Sequence, residues 1–197
     1  MLCKACATKL PKAQARCYKC LQLSLEGRTC PACATASPLQ SVRAATAYVG
    51  GAKQLVGQLK FNRAVDAART IAIMCDARIP LPGDAIVTYV PTANSRVRLR
   101  GYDQAQRIAR HLAHQNSLPL LTTLARTSEA RQVGASGAQR RSQLASAFRP
   151  VRPYAIKDRH VILVDDVITT GSSLEACAQV LIAAGALDVR AVVFAQA

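Results

Sequence analysis

The 197-residue chain contains no tryptophan, and aromatic residues make up only 4% of it. Proteins that bind single-stranded nucleic acid through its bases usually stack those bases on aromatic side chains, so this scarcity favours contact with phosphates instead. The three histidines, His111, His114 and His160, do not have metal-ligand spacing. Neither a Ser-His-Asp arrangement nor a nucleophile elbow is present, which argues against the common hydrolase sites.

Long apolar runs are also missing from the chain. None reaches the roughly 20 residues that a membrane span needs. The N-terminal sequence MLCKACATKL lacks the apolar region of a secretory signal. We therefore expect no membrane span and a cytoplasmic location.

Acidic residues are scarce, since 11 of them face 26 lysines and arginines, and the formal net charge is +15. Residues 91–160 carry 13 basic residues against 3 acidic ones, whereas residues 161–197 carry 1 against 4. A positive density of this kind suits polyanions such as nucleic acid, pyrophosphate or an acidic partner. A solvated basic surface without a specific partner is the alternative.

One stretch, residues 161–173 (VILVDDVITTGSS), combines several signals. Four apolar residues predict a buried strand, and two carboxylates, Asp165 and Asp166, follow directly. A turn rich in hydroxyl groups then leads into a helical pattern over 174–184; its residues are Thr169, Thr170, Gly171, Ser172 and Ser173. Because a helix N-terminus presents unpaired N–H groups and a positive dipole end, the turn predicts a phosphate site. The acids would repel a phosphate and instead suit sugar hydroxyls, alone or with Mg²⁺.

These thirteen residues resemble the signature of type I phosphoribosyltransferases that binds 5-phosphoribosyl 1-pyrophosphate (PRPP). The resemblance implies that Asp165 and Asp166 hold the ribose hydroxyls and that residues 169–173 wrap the 5-phosphate. It further implies displacement of pyrophosphate from C1 of the ribose, with Mg²⁺ on the leaving group. An ordinary strand–turn–helix in which an aspartate only caps the helix is the alternative.

A second informative stretch, residues 91–105 (PTANSRVRLRGYDQA), follows a predicted strand. Arg96, Arg98 and Arg100 occupy alternate positions, so an extended segment would present three guanidinium groups on one side and grip a pyrophosphate. In type I phosphoribosyltransferases the loop after this strand contacts the pyrophosphate. The resemblance therefore implies this role for Pro91, Thr92 and the three arginines, and a solvated arginine cluster is the alternative.

Residues 126–142 are polar, contain two glycines and lack a buried stripe. Such composition is typical of a mobile flap or a partly disordered loop. In phosphoribosyltransferases a flexible loop closes over the reacting centre and excludes water. The resemblance places Arg131, Arg140 and Arg141 in that loop.

Six cysteines form three C-x-x-C pairs: Cys3, Cys6, Cys17, Cys20, Cys30 and Cys33. Two such pairs complete a tetrahedral zinc site, and structural Zn²⁺ would supply the folding free energy of a segment too short for its own core. The first two pairs resemble the zinc-ribbon pattern CxxCGxxLPxxxxxCxxC, with alanine at position 7 instead of glycine. We predict the ligands Cys3, Cys6, Cys17 and Cys20, and leave open that Cys30 and Cys33 replace one of those pairs.

Apolar periodicity predicts the remaining secondary structure. Strands are expected over 42–49, 85–90, 117–124 and 189–194, and helices over 52–61, 64–77 and 102–114.

The order of these features resembles the ComF family of competence-associated proteins. The motif V-P-x-x-x-x-R-x-R-x-R-G-[FY]-[ND]-Q-A, an L-K-F triplet at Lys60–Phe61 and Arg131–Gln132 ahead of Arg140–Arg141 carry the resemblance. It implies an α/β fold of type I phosphoribosyltransferase kind over 39–197, with a mostly parallel sheet flanked by helices. A small zinc ribbon over 1–38 precedes it.

The resemblance also implies a function, namely handling of single-stranded DNA during DNA uptake, with PRPP or a related phosphosugar as ligand. A DNA-uptake helicase is the protein partner that it implies, and the oligomeric state stays open. The alternative is an active phosphoribosyltransferase that acts on an unidentified nucleobase or other amine.

Overall fold

A computed structural model describes residues 9–61, 65–127 and 147–197. Its strands are β1 (Ser41–Ala47), β2 (Ile86–Tyr89), β3 (Leu124–Arg126), β4 (Phe148–Pro150), β5 (His160–Ile168) and β6 (Asp188–Gln196). Its α-helices are α1 (Pro31–Ala34), α2 (Gly50–Phe61), α3 (Val65–Asp76), α4 (Asn94–Arg100), α5 (Gln104–Gln115) and α6 (Ser172–Ala183). Two 3-10 turns cover Leu25–Gly27 and Pro153–Ala155.

A four-stranded parallel sheet in the order β1-β6-β5-β2 forms the centre of the fold. Side chains alternate along β5, so Val161 and Leu163 pack with α6 whereas Ile162 and Val164 pack with α2, α3 and α5. Helices therefore cover both faces, which explains why β5 is a continuous apolar run. This arrangement confirms the predicted parallel sheet flanked by helices.

The central strand is longer than its apolar run. β5 pairs with β6 as far as Ile168, opposite Gln196, so both aspartates lie within the strand instead of after it. The predicted strand over 117–124 is wrong for most of its length, since the segment before β3 makes only an isolated parallel bridge between Val87 and Leu120. β3 and β4 pair antiparallel in a separate small sheet.

The predicted extended arginine segment is also wrong, because residues Asn94–Arg100 form the helix α4. Gly101 ends this helix in the left-handed conformation with φ of 85°, and its N–H donates to Val97 O at 2.7 Å. Alternate residues of a helix point about 200° apart, so Arg96 and Arg100 share a face that Arg98 does not.

The described part of the cysteine-rich segment, residues 9–38, packs along the edge strand β1. Pro11 O accepts hydrogen bonds from Thr46 Oγ1 at 2.7 Å and from Ala47 N, and Arg28 forms an antiparallel bridge with Ser41. The domain boundary after residue 38 stays a prediction. Within the three described ranges, no helix combines the length and the apolar character that crossing a bilayer requires.

Candidate functional site

The segments that follow β2 and β5 meet at one edge of the sheet. These two strands are parallel neighbours, and Val90 N donates to Val164 O at 3.0 Å. Their carboxyl ends therefore bring Pro91 and Thr92 next to the strand that carries the aspartates. Ligands of open α/β sheets bind in the crevice outside these strand ends, so the edge is the candidate site.

A lysine from another element pairs with the acids. Lys60 Nζ, in the last turn of α2, lies 2.6 Å from Asp166 Oδ2. The two side chains are 26% and 11% exposed, so water screens the pair only in part. Lys60 thus balances one negative charge of the acid pair.

The second acid, Asp165, is only partly exposed and has an unusual environment. Desolvation, followed by the charge of Asp166, raises the pKa of Asp165 well above its usual range. Asp166 N donates to Asp165 Oδ1 at 2.8 Å, which favours the ionised form but does not outweigh those effects. A carboxyl group that retains its proton can both donate to and accept from a sugar hydroxyl.

The turn after β5 leads directly into the N-terminus of α6. Gly171 is the N-cap residue with φ of 77° and has no side chain to cap this helix, while Thr170 Oγ1 accepts from Ser172 N at 3.5 Å. Thr169 and Thr170 are exposed, and Thr170 Oγ1 lies 2.9 Å from Ser172 Oγ. Hydroxyl groups and the first-turn N–H groups, including that of Ser173, are thus grouped where an anion is favoured.

The loop after β2 is held by the cap of the next helix. Asp103 is the N-cap of α5, and its carboxylate accepts from Thr92 N at 2.7 Å and from Gln106 N at 3.1 Å. Burial raises the pKa of Asp103, although these two N–H groups act in the opposite direction. The contact fixes the backbone of the loop at Thr92.

Beside this loop lies a buried amide, Gln104, which is 3% exposed. Thr92 Oγ1 donates to Gln104 Oε1 at 3.3 Å, whereas Gln104 Nε2 has no hydrogen-bond partner among the described residues. Buried donors in native proteins are nearly always satisfied. The buried amide of Gln104 is therefore a candidate hydrogen-bond donor at the site.

The arginines of α4 are arranged differently from the sequence prediction. Arg96 and Arg98 are exposed, and the guanidinium of Arg100 lies over the ring of Phe61, 5.6 Å from its centroid. Phe61 directly follows Lys60 in α2. The residue that contacts Arg100 is therefore next in the chain to the residue that pairs with Asp166. The role of the three arginines on a pyrophosphate stays a prediction, and Arg131, Arg140 and Arg141 lie outside the described residues.

Four cysteines come together in the N-terminal segment. The sulfur atoms of Cys17, Cys20, Cys30 and Cys33 all lie within 4.8 Å of one another, and those of Cys20 and Cys30 are 3.6 Å apart. A tetrahedral zinc with Zn–S bonds of about 2.3 Å needs sulfur atoms about 3.8 Å apart, so the cluster fits structural Zn²⁺.

This grouping is the alternative left open by the sequence, with the third C-x-x-C pair in the cluster. Cys3 and Cys6 lie outside the described residues, so their role as ligands stays a prediction. Burial opposes ionisation of Cys17, but the N–H groups of Cys20, Cys30 and Lys19 lower its pKa to about 6. A thiol with so low a pKa is prepared for a metal that binds thiolate.

Sequence reasoning missed three side chains of this region as site residues: Lys60, Gln104 and Tyr18. The L-K-F triplet and the D-Q-A sequence supported only the family resemblance. Tyr18 lies between two cysteines, and its hydroxyl lies 2.6 Å from both Glu175 Oε1 and Ser37 Oγ. No periodicity marks such residues, because their partners are distant in the chain.

Comparisons with known proteins agree with this architecture. A family model described as the phosphoribosyl transferase domain matches residues 98–197, half of the chain. DNA utilization protein YhgH of Salmonella typhi is 30% identical over 96% of this chain and 87% of its own length. Competence protein F of Haemophilus influenzae is 32% identical over 68% of this chain and 63% of its own length.

Among solved structures, glutamine phosphoribosylpyrophosphate amidotransferase from B. subtilis, complexed with ADP and GMP, aligns with a TM-score of 0.51 and 19% identity. The alignment covers 71% of this chain and 30% of that one, and it supports the fold alone. The domain match and the relatives aligned over 96% and 68% of this chain lead to one assignment: the chain belongs to the ComF family and carries its phosphoribosyltransferase domain.

Proposed function

We propose that this protein binds PRPP, or a closely related phosphosugar, and handles single-stranded DNA during DNA uptake in the cytoplasm. The observation that carries the proposal is the meeting of an acid pair and a hydroxyl-rich helix N-terminus at one sheet edge. The ring hydroxyls of a ribose phosphate match the acid pair, and its phosphate matches the helix N-terminus. Asp165 and Asp166 bind the hydroxyls, and residues 169–173 bind the 5-phosphate.

The loop that begins at Pro91 binds the pyrophosphate in this proposal. Thr92 N already donates to Asp103, so it is not free to bind the pyrophosphate. The contact instead fixes where the loop lies. Gln104 Nε2 supplies a donor without a partner in the described residues, and a pyrophosphate oxygen is a suitable acceptor. Arg96, Arg98 and Arg100 add positive charge at the same end of the sheet.

Magnesium enters this site with the ligand. Lys60 pairs with Asp166, and desolvation together with the charge of Asp166 raises the pKa of Asp165, both of which disfavour a cage of free carboxylates. Mg²⁺ commonly keeps few protein ligands and binds substrate phosphates. The pyrophosphate therefore fits as its main ligand, and the ion supplies charge balance there.

The DNA part of the proposal depends on charge and on the relatives. Proteins named for DNA utilization and for competence align with most of this chain. The net charge of +15 favours a polyanion, and the low aromatic content favours phosphate contacts over base stacking. A DNA-uptake helicase is the protein partner in this scheme.

Calorimetric titration of the zinc-loaded chain with PRPP and Mg²⁺ tests the first part. We expect saturable binding that Gln104→Leu and Asp166→Asn each weaken at least about tenfold, which corresponds to a lost charged or buried hydrogen bond. Gln106→Leu is the matched control, since that glutamine donates to Tyr89 OH at 3.0 Å instead. No heat of binding with the wild-type chain would refute the proposal.

Fluorescence anisotropy with a labelled single-stranded oligonucleotide tests the second part. We expect affinity to fall with salt, each phosphate contact adding about −0.7 to the log–log slope. Replacing Arg96 and Arg98 by glutamine lowers the slope, whereas Arg69→Gln on α3 leaves it unchanged. Affinity that does not depend on salt would refute phosphate contact.

A second candidate function, transfer of phosphoribose to an amine acceptor, is favoured by the match to a phosphoribosyl transferase domain. In that reaction the ribose C1–pyrophosphate bond breaks and a bond from C1 to the acceptor nitrogen forms. Release of pyrophosphate from PRPP in the presence of nucleobases measures it. If PRPP binds but pyrophosphate is not released in an acceptor-dependent way, PRPP is only a ligand of this protein and not its substrate.

A further inference from the structure

Tyr18, which lies between Cys17 and Cys20, packs directly on the turn that precedes α6. Its side chain is 7% exposed. A Cβ atom placed on Gly171 would lie 2.9 Å from Tyr18 Cδ2, which is closer than van der Waals contact allows. The tyrosine ring therefore occupies the space that the missing side chain of Gly171 leaves free, and it packs against the turn.

The polar atoms of the same segment reach the first turn of α6. Tyr18 OH donates to Glu175 Oε1 at 2.6 Å, and Lys19 Nζ lies 2.9 Å from the same oxygen. Glu175 N in turn donates to Gly171 O, which closes the first turn of the helix. Two consecutive residues of the cysteine segment thus hold the residue that follows the candidate phosphate turn.

These contacts have an electrostatic consequence for an anion at the turn. Glu175 carries a carboxylate in the first turn of α6, where a bound phosphate would also be attracted by the helix dipole. An unpaired carboxylate there repels the phosphate. Lys19 and Tyr18 neutralise and orient Glu175, so they lower this repulsion.

The position of Tyr18 depends on the cysteine cluster. Cys17 N donates to Gln22 O and Leu21 N donates to Cys17 O, which makes a tight turn around the tyrosine. The described part of the segment is short, and its helix α1 has only four residues. A metal ion that joined its cysteines would supply order to such a segment.

We propose that metal binding at Cys17, Cys20, Cys30 and Cys33 and phosphosugar binding at the turn after β5 are coupled positively, with Tyr18 and Lys19 as positioning residues. This inference rests on the proposed phosphosugar site. The coupling is reciprocal, so each ligand raises the affinity for the other by the same factor. Tyr18 touches no ligand itself and acts through Gly171 and Glu175.

The first test compares the affinity of the zinc-loaded full chain for PRPP with Mg²⁺ between variants. We expect Tyr18→Ala to raise the dissociation constant about 5-fold or more, within the usual range of allosteric coupling. The matched control is Tyr154→Ala, since Tyr154 is 79% exposed. Zinc content by elemental analysis and circular dichroism establish that each variant is folded and loaded.

The reciprocal test measures zinc affinity by competition with a chromophoric chelator, with and without saturating PRPP. We expect PRPP to raise the zinc affinity of the wild type about 5-fold or more and to leave that of Tyr18→Ala unchanged. A role of Tyr18 in stability alone would not make zinc affinity depend on PRPP. Tyr18→Phe keeps the ring on Gly171 and is expected to retain part of the effect.

A charge rescue separates positioning from packing. Lys19→Met is expected to weaken PRPP binding because Glu175 loses its cation, and Glu175→Gln in the same chain is expected to restore it. Lys19→Met with no effect, or without rescue by Glu175→Gln, would refute the electrostatic part.

The outcomes distinguish this inference from the proposed function. PRPP binding with a zinc affinity that is the same with and without PRPP refutes the coupling and leaves the phosphosugar site intact. A wild-type, zinc-loaded chain that does not bind PRPP refutes both.

Discussion

The ammonium group of Lys60 and the carboxylate of Asp166 form an ion pair 2.6 Å long at the carboxyl-end edge of the sheet. Lys60 lies in the last turn of α2, and Asp166 lies near the end of β5. Desolvation, followed by the charge of Asp166, raises the pKa of the neighbouring Asp165. The ion pair with Lys60 thus offsets one negative charge at this edge of the sheet.

Lys60→Met is expected to destabilise the fold by about 1–2 kcal/mol, between the values typical of exposed and of buried ion pairs. Urea denaturation measures this loss. Lys53→Met, in the same helix but exposed, is the control and is expected to have little effect. The double variant Lys60→Met/Asp166→Asn is expected to regain stability, and additive losses would show that the two groups do not interact.

Asp165→Asn is expected to stabilise the protein at neutral pH while weakening PRPP binding. Because the pKa of Asp165 in the native state is raised above the unfolded value of about 4, this group makes stability fall as pH rises from about 4 through the raised pKa. Asparagine retains an oxygen acceptor for Asp166 N and removes the titration.

Thermal unfolding as a function of pH checks this expectation. The difference in Tm between Asp165→Asn and wild type should be smallest near pH 4 and increase towards neutral pH. A variant that loses stability equally at every pH would show that Asp165 is ionised in the native state.

Gly171→Ala is expected to cost at least about 1–2 kcal/mol, because alanine disfavours a φ of 77° and its Cβ would clash with the Tyr18 ring. Gly57→Ala is the matched control within α2. Among the described residues, no atom outside the neighbouring helix backbone lies within 4 Å of a Cβ at Gly57, and alanine favours helix by up to about 1 kcal/mol, so this variant should be more stable. Equal effects of the two substitutions would contradict the close contact at Gly171.

Cys30→Ser is expected to abolish zinc binding, whereas Cys3→Ser is expected to preserve it. Four sulfur atoms already complete a tetrahedral site in the cluster that contains Cys30. Elemental analysis of the purified variants gives the zinc content. Loss of zinc in Cys3→Ser with retention in Cys30→Ser would restore the ribbon predicted from the first two pairs.

The fold was largely predictable where the signal was local. The apolar run of β5, the hydroxyl-rich turn and the end of α6 before Gly185 each depend on neighbouring residues. The prediction failed at α4, where alternating arginines suggested an extended segment. The bond between Asp103 and Thr92 fixes the loop that precedes this helix, and Gly101 ends the helix with its own N–H bond to Val97 O.

The sequence alone determined which chemical groups this chain carries: paired acids, a hydroxyl-rich turn, basic residues and C-x-x-C pairs, because residue type and spacing set the local groups. The tertiary structure decided which of these groups meet. Lys60 reaches Asp166, and Tyr18 reaches Gly171, only because the parallel sheet places the end of α2 and the cysteine segment against the carboxyl end of β5. Contacts between residues distant in the chain depend on packing, and no local pattern records them.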